Sequence, residues 1–220
     1  MSIVIAKGFP GSGRMTGTAM LLCGLLLSEA GQAGQPGWVP IRTTPSGQIY
    51  HRDSGHPSIP WARIVTQYAA SPARVHAMVT DYDHFTEFIP NVTESRIVSE
   101  AGSNQWVYHH LHFPGPIADR AYLIKSNSSG SRPEEQYFRV AWELADRELS
   151  GVDLTTGIRP DAFSGYWEIH PGESPGSTVA HYAIFSDPGG FIPGWLVVAH
   201  TDRYIQQVVE AIRERLVMDE

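Results

Sequence analysis

The chain closes on one long amphipathic period. From Pro193 to about Val217, Val198, Thr201, Ile205, Val208, Val209, Ile212 and Leu216 fall on one helical face, while Asp202, Arg203, Gln206, Gln207, Glu210, Arg213 and Glu214 fall on the other. A helix of this length needs an extended apolar surface to lie on. The residues before it supply little but strands. Thr93–Ser99, Gln105–Phe113, Ala121–Asn127, Tyr137–Leu144, Phe163–Ile169 and Thr178–Phe185 are short runs, most of them separated by Gly, Pro, Ser or Asp. With Ala62–Ala69 they make about seven strands, spaced as an antiparallel meander rather than a parallel α/β sheet. The expected architecture is α+β, with the long helix lying across the concave face of a curved sheet.

Short helices follow the first strand. Ser71-Pro72 provides an N-cap with proline at the first helical position, and Val75, Met78 and Val79 supply an apolar stripe. Asp83 can cap a further turn that runs to Ile89 and stops at Pro90. Residues 31–60, rich in Gly, Pro, Gln and Ser, read as a connector in which Ile41 and Ile49-Tyr50 make at most short edge pieces. Residues 61–220 form the expected domain.

Composition narrows the function classes. A chain of 220 residues with 42% hydrophobic content, six Trp, nine Tyr and eight Phe is neither disordered nor in need of a staple. A net charge of −7 argues against a nucleic-acid partner, because neutralising phosphates needs a clustered Lys/Arg surplus. Cys23 is the single cysteine, which excludes a disulfide framework and a Cys-rich zinc site. It lies within Ala19–Leu27, a nine-residue apolar run too short to cross ~30 Å of hydrocarbon. Lys7 and Arg14 precede that run, and small residues at Ser28-Glu29-Ala30 or Gly31-Gln32-Ala33 follow it. Residues 1–30 therefore read as an export signal and imply a periplasmic or secreted protein; the competing reading is an N-terminal helix of a cytoplasmic one. Gly8–Arg14 is glycine-rich but lacks the Lys-Ser/Thr ending of a phosphate loop.

Three segments carry a resemblance. They are Ser71–Val98, Phe113–Lys125 (FPGPIADRAYLIK), and Ser164–Val198, which contains Tyr166-Trp167 and STVAHYAIFSDPGGFIPGWLVV. Together they resemble the START (steroidogenic acute regulatory-related lipid transfer) domains and the polyketide-cyclase-like proteins of the helix-grip superfamily, over roughly residues 61–218. Arg120 matches the family's arginine, but Ala121 stands where an acid usually follows. The resemblance implies an apolar cavity between sheet and C-terminal helix, a sterol, phospholipid or similar cargo, and a gate near Asp146–Gly157. It implies no cofactor.

The residues themselves identify candidate cavity walls. In the third strand, Trp106, Tyr108, His110 and His112 share one face and Val107, His109, Leu111 and Phe113 the other; sequence leaves open which points inward. Tyr108, His110, His112, Arg120, Trp142, Tyr166, Trp167, His181, Trp195, Val208 and Ile212 are the candidate ligand contacts, each also compatible with ordinary packing. Arg120 either meets a ligand oxygen or pairs with Asp119, Glu143 or Glu168. His110 and His112 have the spacing of two metal ligands on a strand, but only an isolated residue such as His181 offers a third, so no metal is expected. Enclosing about 300 Å² of apolar ligand surface contributes on the order of 7 kcal/mol, enough for reversible binding. The leading expectation is a non-catalytic, monomeric lipid carrier that touches membranes transiently. A cyclase/aromatase-type enzyme and a quinone-binding module are the alternatives.

Overall fold

Nine strands pair edge to edge in a single antiparallel sheet. The computed structural model describes residues 37–113, 117–145, 152 and 154–218. Along the chain run β1 (Val39–Thr44), β2 (Gly47–Arg52), β3 (Trp61–Tyr68), α1 (Pro72–Val79), α2 (Phe85–Phe88), β4 (Val92–Ala101), β5 (Asn104–Leu111), β6 (Arg120–Asn127), β7 (Phe138–Leu144), β8 (Ala162–Pro171), β9 (Thr178–Asp187) and α3 (Gly194–Met218). The spatial order is β1-β2-β3-β9-β8-β7-β6-β5-β4, so the meander β4 to β9 returns to pair its last strand with β3. Two register shifts in β4, at Val92/Glu94 and Ile97/Ser99, bend that edge. The sheet is curved and open, and α3 lies in its hollow.

The expected meander is present, with nine strands in place of about seven. The extra two come from residues 38–60, read from composition as a connector. Gly47 makes the difference: at φ 146° it closes a tight hairpin turn, where a side chain would run into the Val65 carbonyl. Ile49 of that hairpin is fully buried. The expected leader, residues 1–30, lies outside the described residues. Among the described residues no helix is long and apolar enough to cross a membrane.

Local chemistry explains the helices. The Ser71 hydroxyl accepts from the Arg74 N–H at 3.3 Å and Pro72 opens α1, which buries Val75, Met78 and Val79. The Arg74 guanidinium donates to the Leu216 carbonyl at 2.9 Å, satisfying an orphan acceptor in the last turns of α3. α3 buries Thr201, Ile205, Val208, Val209, Ile212 and Leu216 as its period predicts, but it starts that stripe at Val197 rather than Val198. Asp202 departs from the pattern. Expected on the wet face, it is buried because the β1–β2 hairpin covers it: the His51 Nε2–H donates to its carboxylate at 2.8 Å, and Arg42 approaches to 3.8 Å. This pair binds the hairpin to the helix.

Candidate ligand-binding site

Strand alternation decides which side chains meet α3. Ile64 (β3), Tyr182 (β9), Trp167 (β8) and Val140 (β7) are successive register partners on the concave face. Trp167 stacks on Tyr182 with ring centroids 4.3 Å apart. On β5 the concave residues are Val107, His109 and Leu111, so the open question about that strand is resolved in their favour.

Two apolar chambers lie between this face and the helices. The outer one, about 140 Å³, sits where β6, β8, β9 and the N-terminal half of α3 converge; Leu111, Arg120, Ile184, Leu196 and His200 are among its walls. The inner one, about 60 Å³, is walled by Tyr82 and Phe85 near α1 and α2, by His109, Trp142, Trp167 and Tyr182 of the sheet, and by Val208 and Ile212 of α3. Tyr122, Phe163 and Tyr204 line both chambers and form the partition between them. The Tyr122 and Phe163 rings lie 5.2 Å apart. An elongated molecule could occupy both chambers only by turning these three rings.

Polar groups in the inner chamber are few, and two have no partner. His109 Nδ1 and Trp142 Nε1 are buried without a hydrogen bond. Full burial holds the His109 imidazole down at about 4, so it is neutral near pH 7. Its ring is fixed by a stacked Phe85 at 5.9 Å and by Tyr82 and Tyr122 beside it. Gly165 gives the Trp142 indole its place, since any side chain there would collide with the ring. Burial likewise pushes the Tyr122, Tyr182 and Tyr204 phenols up, so this wall carries no charge near pH 7. Such a surface suits an apolar body.

Arg120 stands at the outer chamber with a positioning job. Its Nε donates to the Pro188 carbonyl at 2.9 Å and its Nη1 to the Ala118 carbonyl. Burial lowers the guanidinium's pKa, an effect the nearby Asp119 carboxylate opposes. The acid partner expected from sequence is thus largely replaced by two carbonyls, and the arginine ties the loop before α3 to the start of β6.

The candidate residues divide by face. Trp142, Trp167, Val208 and Ile212 line the inner chamber and Arg120 the outer. Tyr108, His110 and His112 sit on the convex face and line neither. Tyr108 packs with Leu123 and Leu154, its hydroxyl 3.3 Å from the Thr156 hydroxyl. Thr93 and Asp119 engage His110, and Asp119 engages His112. Tyr166 and His181 are convex too, beside Glu168. Trp195 is largely exposed, on the outward side of α3. The period-two pattern of β5 fits either face, so sequence alone could not favour His109 over its neighbours. The gate implied by the resemblance spans Asp146–Gly157. Residues 146–151 and 153 lie outside the described residues. Leu154 and Thr156 pack against Tyr108 on the convex side, while Pro160 reaches the outer chamber.

A curved sheet gripping a long helix over an apolar cavity defines a helix-grip ligand-binding fold. The chain belongs to the polyketide cyclase/dehydrase and lipid transport family, whose sequence pattern matches residues 68–213. An uncharacterized Pseudomonas aeruginosa protein, PA1579, is 25% identical over 134 residues, 61% of this chain; the match spans 64% of that relative's length. Among solved structures, a STAR-related lipid transfer protein of Xanthomonas axonopodis superposes with a TM-score of 0.71 at 19% identity, covering 82% of this chain and 98% of the other. An aromatase/cyclase from Streptomyces sp. R1128 superposes at 0.53 and 14% identity, covering 70% and 92%. At these identities the likeness is one of fold.

Proposed function

We propose that the protein binds and carries a hydrophobic small molecule, a sterol, phospholipid or similar lipid, with an oxygen of the cargo held at His109. The carrying observation is the apolar cavity under α3, whose wall includes His109, a residue with a buried ring nitrogen that has no hydrogen-bond partner. The family's lipid-transport members and the fold shared with the Xanthomonas protein support a hydrophobic ligand. Phe191, Trp195 and Leu196 project to solvent around the start of α3, beside the outer chamber, which suits brief contact with a bilayer during loading. We further propose, from the export signal read in residues 1–30, that this traffic runs outside the cytoplasm.

Delipidated full-length protein incubated with sterols, hopanoids, fatty acids and phospholipids should retain one class in native mass spectrometry. Retention of none would overturn the reading. His109→Phe keeps the ring packing and removes the nitrogen, so affinity for the oxygen-bearing ligand should drop about tenfold, the worth of one buried hydrogen bond.

A second reading is a cyclase-type enzyme on the same fold, favoured by the neutral His109 imidazole facing the cavity and by the Streptomyces neighbour. Turnover of a poly-β-keto chain, lost in His109→Phe, would select it over carriage.

A further inference from the structure

We propose that Glu168, His170 and His181, on the convex face of the sheet, form a binding site for a single zinc-class divalent ion. The site is separate from the cavity and does not depend on the cargo. One ligand atom from each residue lies within 4.8 Å of the others. The convergence follows from strand geometry: Glu168 and His170 are two apart on β8 and share a face, and His181 on β9 is the register partner of Glu168. Two adjacent strands therefore present three donors without help from a loop.

The donor set fits the ion. Two imidazoles and a carboxylate are the ligands zinc takes where a fourth position stays open. His181 Nδ1 stands 3.8 Å from Glu168 Oε2. That is too long for a hydrogen bond, whereas a shared ion with bonds near 2.0–2.2 Å would set the two atoms about 3.4 Å apart. His181 Nδ1 is moreover buried without a hydrogen-bond partner, a rarity that a metal bond would relieve. Glu168 Oε1 faces the Arg139 Nε at 3.5 Å, and its Oε2 faces His181.

The surroundings set the affinity. Arg139 and the buried Arg63, whose guanidinium lies over the Trp38 and Tyr50 rings at 4.4 and 4.6 Å, oppose a bare cation. They also favour hydroxide or another small anion at the open position. A groove of about 410 Å³, lined by Arg52, Arg139 and Tyr166 among others, opens beside Glu168.

The test uses the full chain carrying Cys23→Ser, so that no thiol competes. After chelator treatment it is titrated with zinc by calorimetry and with cobalt(II) by visible absorption. One ion per chain is expected, with the intense d–d bands of a four-coordinate site. His170→Ala and His181→Ala should each weaken binding about tenfold or more while the metal-free melting temperature stays put. Glu168→Gln, which keeps the side chain's shape, should do the same. His112→Ala removes the competing histidine beside Asp119 and should change nothing. The proposal fails if no ion binds at one equivalent, if all three site variants bind at full strength, or if His112→Ala abolishes uptake.

Discussion

Two neighbouring rows of the same sheet have opposite chemistry. The concave row Ile64–Tyr182–Trp167–Val140 is uncharged and packed under α3, whereas one residue along each strand the convex row reads Val65–His181–Glu168–Arg139. The concave row is fully buried, whereas in the convex row only Glu168 is buried and its three partners are half-buried. The concave side is covered by helices and the convex side by cation–aromatic layers such as Arg63 under Trp38 and Arg139 over Tyr166, 5.4 Å away. The strand period lets one sequence build an apolar container on one face and a charge network on the other. Deep burial and the absence of charge together mark the ligand side.

The largest effect should come from the concave row. Trp167→Ala removes a stacked, buried indole and should cost about 3–5 kcal/mol, read from urea unfolding. Arg139→Ala, on the adjacent row but with a side chain 39% exposed, should cost less than about 1 kcal/mol. Equal costs would break the contrast.

Acid should act next, through the container. The His109 imidazole titrates near 6.5 when unfolded and near 4 when folded. As pH falls, the unfolded chain takes up this proton first, so stability is full above about 6.5 and drains toward pH 4 by on the order of 3 kcal/mol. His109→Phe should lose less stability than the parent between about pH 7 and about pH 5. An identical loss would mean that the imidazole titrates freely and the inner chamber is wet.

Smaller again is the tie between hairpin and helix. Asp202→Asn should destabilise by about 1–3 kcal/mol, and a double-mutant cycle with His51→Ala should show the two coupled. Additive losses would show that the hairpin is held by packing alone. Least of all, Glu135→Gln at the exposed Arg132 pair should leave the melting curve unchanged.

Much of this was legible in the residues. The period of α3, the Ser71-Pro72 cap and six of the meander strands sit within about two residues of where sequence pattern puts them. The β1–β2 hairpin was masked because Gly47 and its polar neighbours have linker composition, although the same glycine makes the turn. Asp202 was misassigned because helical periodicity knows nothing of a hairpin arriving from residues 38–52.

By itself the sequence determined the types and order of the elements from β3 onward, because propensity, capping and hydrophobic period are local properties. It also determined that the container would be aromatic and the chain acidic. Only the tertiary structure decided which face of each strand is inside, since alternation has two solutions and packing against α3 selects one. That selection put His109 in the cavity, sent His110 and His112 outward, and brought Glu168, His170 and His181 together from two strands.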